Sequence, residues 1–237
     1  MLEQELFRAV VDLTHILDDR SPNWEGTDES PYQARELGDL ARDGYYSRIF
    51  TTQEHYGTHL DAPAHFASGA WTVDQIPAER LVRLLALMDV RRNVLTDYDY
   101  AVTLQDVAAW EASYGPIPPG AVVMAYTGWD ERWDSPKEFR NELSDGVTHY
   151  PGFALETTEF LVRQRQVVGL GIDTMSVDIG ATADYPVHLF TSRENVYHLE
   201  NVANLSQVPS AGAIVVVAPI KLENGSGGPV RVFALVR

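Results

Sequence analysis

The sequence predicts one domain of the α/β class, built on a mixed β-sheet that a few helices cover. Three observations support this fold class. Short β-prone runs outnumber helical segments, and they do not alternate strictly with helices as in a wholly parallel sheet. The chain has 237 residues, a length at which α/β folds commonly form one domain, and 45% of its residues are hydrophobic. Since it contains no internal repeat, low-complexity tract or linker, residues 1–237 are predicted to be a single domain.

Strands are predicted where β-branched and aromatic residues alternate with polar ones or form short apolar runs. The predicted strands are residues 9–15, 45–52, 81–90, 121–127, 167–173, 197–200, 213–222 and 230–236. A loop rich in turn formers is predicted over residues 18–28, and a turn-rich segment over residues 69–77.

Helices are predicted in three places. Thr103 followed by Asp106 is a capping pattern, so a helix is expected to begin after Thr103. Residues 155–164 are predicted to be helical, and the charged and aromatic residues 128–141 are predicted to form a loop and a short helix.

Charge and composition exclude several classes of function. Lys and Arg number 18 and Asp and Glu 34, and the resulting net charge of −16 repels nucleic acids and anionic membranes. The chain has no cysteine, which excludes disulfides and fits a reducing compartment. Neither a signal peptide nor an apolar run of the ~18 residues that span a bilayer is found. We therefore expect a cytoplasmic protein that binds neither nucleic acid nor membrane.

The most informative stretch contains His55, His59, Asp61 and His65, three imidazoles and one carboxylate within eleven residues. Zn²⁺, Mn²⁺ and Fe²⁺ bind to nitrogen and oxygen ligands of this kind. All four residues occupy odd positions, so an extended backbone would direct their side chains to one face. This spacing predicts a binding site for a divalent metal ion.

A straight strand would not close this site, because four residues of strand separate two backbone positions by roughly 13 Å. Gly57 is expected to supply a bend, since glycine tolerates unusual backbone angles. Pro63 disfavours helical geometry at Ala62. The prediction is a strand that turns into a short irregular segment.

Some aromatic residues are candidates for enclosing an aromatic ligand. Trp24 stands out in the polar loop over residues 18–28, where packing onto the surface is the alternative to lining a pocket. The other candidates are Trp71, Trp129 and Tyr46.

The order of the motifs resembles the cyclase family, which includes bacterial kynurenine formamidase and isatin hydrolase. The resemblance rests on His-x-Gly-Thr-His-x-Asp-x-Pro-x-His-Phe at residues 55–66 and Gly-Ile-Asp-Thr-Met-Ser-Val-Asp at residues 171–178. His188 and then Leu-Glu-Asn-Val-Ala-Asn-Leu at residues 199–205 follow. The resemblance extends from Asp12 to the C-terminus and implies the family's swivelling α/β fold with a mixed, partly barrel-like sheet, assembled as a homodimer or homotetramer.

The resemblance also implies a ligand set. His55, His59 and Asp61 would hold one ion. In formamidase-like members Asp61 and Glu200 would bridge to a second ion that His188 also binds, whereas the isatin-hydrolase branch resembles a one-metal arrangement. One or two ions, Zn²⁺ or Mn²⁺, are therefore expected.

The activity implied is hydrolysis of an amide C–N bond in a small aromatic substrate, with His65 transferring the proton and Trp24 contacting the substrate. The expected reaction is conversion of N-formylkynurenine to kynurenine and formate, and the alternative is hydrolysis of isatin to isatinate.

The chain departs from the formamidases in two places. Residues 24–27 read Trp-Glu-Gly-Thr where formamidases tend to read Trp-Pro-Gly-Asp, and residues 129–141 are extra relative to the shorter formamidases. Both departures lie where substrate selection is expected.

Two other classes of function fit part of the ligand set. His59, Asp61 and His188 would also suit the two-histidine, one-carboxylate triad of a non-haem iron oxygenase, which oxygen uptake with a cosubstrate would reveal. A non-catalytic metal-binding protein would bind metal without turnover. His65 argues against it, because a closed structural site gains nothing from an additional imidazole.

Overall fold

A barrel-like sheet organises the part of the chain that the computed structural model describes, residues 7–27 and 29–237. Residues 1–6 and Asp28, the last residue of the predicted loop, lie outside the described residues. The strands are β1 (Ala9–Asp12), β2 (Gln33–Gly38), β3 (Ser47–Thr51), β4 (His59–Asp61), β5 (Val82–Asp89), β6 (Ala101–Val102), β7 (Val122–Tyr126), β8 (Gly152–Phe153), β9 (Gly169–Ile172), β10 (Tyr197–Glu200), β11 (Ile214–Pro219) and β12 (Gly227–Val236).

The main sheet closes on itself. Its strand order is β1-β12-β11-β5-β7-β9-β10-β4, and β4 also pairs with β12, so that seven strands form a barrel and β1 extends it at β12. The pairs between β5, β7, β9 and β10 are parallel, and the remaining pairs of this sheet are antiparallel. The predicted fold class, an α/β fold with a mixed, partly barrel-like sheet, is confirmed.

The helices are α1 (Leu40–Asp43), α2 (Arg91–Val94), α3 (Leu104–Tyr114), α4 (Pro136–Arg140), α5 (Leu155–Arg165) and α6 (Pro186–Arg193). The capping pattern at the start of α3 is formed as predicted, since the Thr103 backbone N–H donates to the Asp106 carboxylate at 2.7 Å. The predicted helix over residues 155–164 is α5. The sequence did not predict α6, although it carries His188. No helix within the described ranges is long and apolar enough to cross a membrane.

Two apolar cores lie on either side of the barrel wall. Because side chains alternate along a strand, Leu87 of β5 points into the barrel and Met88 points outward. The inner core also contains Met124 of β7, and the outer core contains Leu161 of α5. Strands buried on both faces explain why β5, β7 and β9 read as continuous apolar runs in the sequence.

One predicted strand has an unexpected place in the fold. Residues 45–52 do form a strand, β3, but β3 pairs with β2 in a two-stranded ribbon separate from the barrel. Alternating residues indicate a strand without specifying its partner. The first predicted strand is also shorter than expected, since β1 ends at Asp12 rather than His15.

Candidate metal centre and substrate cavity

Three elements bring the candidate ligands together. His59 and Asp61 lie on β4, and the antiparallel pairing of β4 with β10 places Glu200 opposite His59. α6 carries His188. Gly57, with φ of +66°, provides the predicted bend before β4 and allows His55 to turn back toward Asp61.

Asp61 is the centre of the cluster and is buried, with 3% of its surface exposed. One carboxylate oxygen lies 2.6 Å from His55 Nδ1 and 3.2 Å from His59 Nε2, and the other lies 3.2 Å from His188 Nε2. Glu200 lies beside it, 3.4 Å from His59 Nε2 and 3.3 Å from His188 Nε2. The structure thus brings together all five of the predicted metal ligands.

In His59 and His188, the ring nitrogen that faces away from Asp61 is Nδ1, and its hydrogen-bond partner shows where the proton lies. His59 Nδ1 is 2.9 Å from the Gly57 carbonyl oxygen, and His188 Nδ1 is 2.7 Å from the Asp178 carboxylate. Both partners can only accept, so we infer that each Nδ1 carries a proton. In its neutral form each imidazole therefore directs an Nε2 lone pair at Asp61 and its neighbour Glu200.

His55 shows the same arrangement on the other side of Asp61. Its Nε2 is 2.9 Å from the Ser226 hydroxyl, which itself donates to Glu54 and therefore accepts from His55. In the neutral ring, the Nδ1 atom that faces Asp61 is then the one with the lone pair.

A fourth histidine, His198, was not predicted as a site residue. Its Nε2 is 2.6 Å from the Thr191 hydroxyl, which donates to the Val187 carbonyl at 2.7 Å. The buried Nδ1 lies 3.8 Å from Asp61 and has no hydrogen-bond partner within residues 7–27 and 29–237. An unpaired buried nitrogen facing a carboxylate is a further sign that a cation belongs between them.

The nitrogen lone pairs of these histidines face two carboxylates. Lone pairs and carboxylates repel one another unless protons or a cation lie between them. Burial disfavours charge on His59, but its contacts with Asp61 and Glu200 outweigh burial and raise its pKa to about 10. For Asp61, burial alone would raise the pKa of the carboxyl group. Hydrogen bonds to the surrounding histidines outweigh burial and hold the pKa of Asp61 well below its ordinary value. The cluster therefore favours added positive charge.

The donor set fits a divalent ion. Candidate donor atoms within 4.8 Å of one another form two groups that share Asp61, namely His55, His59 and Asp61, and Asp61, His188, His198 and Glu200. Nitrogen and oxygen donors without sulfur suit Zn²⁺ or Mn²⁺. Asp178 contacts Nδ1 of His188 and Ser226 contacts Nε2 of His55, on the sides of these rings that face away from Asp61. Such contacts are usual around metal-bound histidine.

His65 lines the same cavity as the candidate ligands but differs from them in being exposed rather than buried or half-buried. It lies in the 3₁₀ turn Pro63–His65, and its ring stacks on His55 with the ring centroids 3.9 Å apart. Although the residue is partly exposed, desolvation by the surrounding walls lowers its pKa to about 4. This value is below the ~6.5 of an unperturbed histidine, so His65 is neutral at physiological pH.

A cavity of about 530 Å³ opens directly over the cluster. Its walls include three aromatic rings, those of Trp24, Phe66 and Tyr185. Trp24 lies 6.3 Å from Tyr185, measured between ring centroids. Tyr185 has φ of +48°, an unusual conformation for a residue other than glycine, and such strain is concentrated at functional sites.

Of the four aromatic candidates, only Trp24 lines this cavity. Trp71 packs against the inner core, Trp129 is buried with its indole N–H donating to the Phe139 carbonyl at 2.7 Å, and Tyr46 is exposed on the β2–β3 ribbon. The loop position of Trp24 did not by itself identify it, because Trp71 and Trp129 also lie in segments predicted to be turns or loops.

Sequence reasoning missed four residues that shape the site, His198, Asp178, Ser226 and Tyr185. A signal existed for His198, because it lies two residues before Glu200 and therefore on the same face of a strand. Asp178 ends the Gly-Ile-Asp-Thr-Met-Ser-Val-Asp motif but carried no assigned role. Ser226 lies 171 residues from His55, and no local pattern connects them.

A mixed barrel that holds a buried histidine and carboxylate cluster beneath an aromatic cavity defines a candidate metal-dependent enzyme. Comparison with known proteins identifies its family. The "Putative cyclase" family model matches residues 11–179, and the chain belongs to the cyclase family.

Individual relatives agree with this assignment. Isatin hydrolase of Roseibium aggregatum is 34% identical over 77% of this chain and 72% of its own length. Kynurenine formamidase of Paracidovorax citrulli is 25% identical over 75% of this chain and 74% of its own length. The solved structure of isatin hydrolase A from Labrenzia aggregata, bound to benzyl benzoate, is 33% identical, covers 96% of this chain and 93% of its own, and has a TM-score of 0.88.

Proposed function

We propose that this chain is a metal-dependent hydrolase that opens the cyclic amide of isatin or a closely related small aromatic amide. The observation that carries this proposal is the buried cluster around Asp61, which lies at the base of a cavity walled by Trp24, Phe66 and Tyr185. The sequence motifs alone placed N-formylkynurenine first. The higher identity to isatin hydrolase, 34% against 25% for the formamidase, supports the cyclic amide as the first substrate to test.

His55, His59 and Asp61 would hold one ion, and His188 and Glu200 would join Asp61 around a second. The two donor groups that share Asp61 support either one or two ions, and Zn²⁺ and Mn²⁺ both suit the donors. A divalent cation in such a site lowers the pKa of a bound water toward about 7 and polarises a carbonyl group.

The chain's own residues supply the remaining steps. His65, neutral and facing the cavity, accepts a proton from the attacking water and returns it to the leaving nitrogen. Asp178 keeps the proton of His188 on Nδ1 and so directs Nε2 toward the cluster. The aromatic walls hold the ring of the substrate and exclude water from one face of it.

The test is hydrolysis of isatin and of N-formylkynurenine in parallel, followed by absorbance, with and without a chelator. We expect turnover that the chelator abolishes and that Zn²⁺ or Mn²⁺ restores, with isatin the better substrate. Faster cleavage of N-formylkynurenine would assign the chain to the formamidase branch. Absence of turnover of both by metal-loaded protein would contradict the proposed substrate class, and oxygen uptake in its place would indicate the oxygenase.

We also propose that the chain assembles as a homodimer or homotetramer through the β2–β3 ribbon. An isolated two-stranded ribbon is marginal in water, yet this one exposes large apolar side chains. These are Leu37, Leu40, Tyr45, Tyr46, Ile49 and Phe50. Residues 31–51 contain three arginines and three acidic residues, so this part of an otherwise acidic chain has no net charge to oppose the approach of a second copy.

Light scattering after size-exclusion chromatography tests this assembly. We expect the mass of two or four chains for the native protein and a shift toward one chain for Phe50→Glu, because a charge would be buried in the interface. Leu95→Glu is the matched control, since Leu95 directly follows α2, lies outside residues 31–51 and is 80% exposed. A native protein with the mass of one chain would contradict the proposal.

A further inference from the structure

The loop tip around Trp24, residues 23–26, is contacted by an arginine from residues 129–141, the segment that the family resemblance predicts to be extra relative to the shorter formamidases. Arg140 is the last residue of α4, and its side chain is 16% exposed. Its Nη1 donates to the backbone carbonyl of Trp24 and, at 3.4 Å, to that of Asn23. The guanidinium thus bridges two successive carbonyl groups of the loop.

The guanidinium also packs tightly against the loop. Gly26 has φ of +65°, and a Cβ atom built at this position would lie 2.5 Å from Arg140 Nε. Glycine is therefore required here both for the turn and for the close approach of Arg140. Glu142 accepts from Arg140 Nη2 at 2.6 Å and orients the guanidinium.

The other end of this connection is rigid. Phe139, the residue before Arg140, is fully buried, and its carbonyl accepts the indole N–H of the buried Trp129 at 2.7 Å. The backbone before Arg140 is thus fixed by the core, and the Arg140 guanidinium contacts two carbonyl groups of the Trp24 loop. The position of α4 therefore determines the position of the loop. Trp24, whose ring lines the cavity, is 45% exposed.

We propose that Arg140 is a positioning residue that sets substrate affinity by holding Trp24 over the cavity. The substrate role of Trp24 in this proposal rests on the proposed function, whereas the positioning of Trp24 does not. Arg140 does not line the cavity over the candidate metal ligands, and the loop that it contacts is its connection to Trp24.

Kinetics of variants test the role in affinity. Arg140→Ala is expected to raise KM for the aromatic amide about tenfold, because charge-assisted hydrogen bonding to the loop is lost. We expect little change in kcat or in bound metal. Arg140→Lys, which keeps the charge but not the forked geometry, should lie between Arg140→Ala and the native protein. Lys137→Ala removes a positive charge from the same helix at an exposed position and is the matched control.

A double-mutant cycle separates positioning from general stability. In the Trp24→Ala background, Arg140→Ala should change KM less than about twofold, because the group it positions is already absent. The same tenfold rise in both backgrounds would show that Arg140 acts by another route and would overturn the proposal.

A measurement independent of turnover keeps the proposal testable if the substrate class is wrong. The five tryptophans can be labelled with 5-fluorotryptophan, and the Trp24 signal in the ¹⁹F NMR spectrum is then assigned by its loss in Trp24→Phe. Arg140→Ala should shift and narrow the Trp24 signal and leave that of Trp71 unchanged. An unchanged Trp24 signal would overturn the proposal, whereas a shifted signal without turnover of either amide would contradict only the proposed function.

Discussion

Asp61→Asn is expected to remove bound metal and to lower kcat/KM by about 10³-fold or more, the equivalent of several kcal/mol of charge stabilisation by the ion. The change keeps the size of the side chain and removes its charge. Asp61 is the residue that both candidate donor groups share, and it faces the inner nitrogens of His55, His59 and His188. An amide in its place would leave these nitrogens without the negative charge that draws a cation among them.

Metal content by mass spectrometry and kcat/KM are the two measurements. Asp99→Asn is the matched control, because Asp99 also pairs with a histidine, His149 at 2.6 Å, but lies outside the cavity. Asp178→Asn should have an intermediate effect of about 10–100-fold, typical of a residue that orients a ligand from behind. Full metal occupancy in Asp61→Asn would show that the ion lies elsewhere.

The sequence located part of this centre because part of it is local. His55, His59, Asp61 and His65 fall within eleven residues, and the bend at Gly57 and the turn after Pro63 are the features that bring them together. Both were predicted from the conformational preferences of glycine and proline alone.

The opposite side of the centre depends on long-range pairing. Glu200 reaches His59 through the register of β10 against β4, and nothing near either residue specifies that register. His188 and Glu200 were identified only through the resemblance to a family. The physical reason is that strand pairing is decided by the whole barrel rather than by neighbouring residues.

Helix α6 shows a different limit. It has eight residues, and polar side chains, among them His188, Thr191 and Ser192, are buried on it. His188 contacts Asp178 and Asp61, and the Thr191 hydroxyl contacts the His198 ring. Polar residues thus occupy buried positions of the helix, and the apolar periodicity by which helices are predicted is weakened. A helix such as α6, whose buried side chains belong to the site, is thus harder to predict than α5, whose Leu161 packs in the outer apolar core.

His65→Ala is expected to lower kcat by about 10²–10⁴-fold while metal remains bound, the range that general acid–base catalysis typically supplies. Geometry supports a role for His65 other than that of a ligand, because its ring stacks on His55 and lies outside the two candidate donor groups, whereas His59 and His188 are buried against the carboxylates. His65→Gln keeps much of the size but cannot transfer the proton, so it should be about as slow. His149→Ala, outside the cavity, is the control for loss of an imidazole.

The pH dependence distinguishes His65 from a ligand. A base must be neutral to accept a proton, and desolvation lowers the pKa of His65 to about 4, so the base is available at any pH above that value and is lost as the pH falls through it. The acid limb of kcat, measured at saturating metal, should therefore lie nearer pH 4 than the ~6.5 of an ordinary histidine and should disappear in His65→Ala. If His65→Ala instead empties the site of metal, His65 is a ligand, and the proton must be transferred by another group.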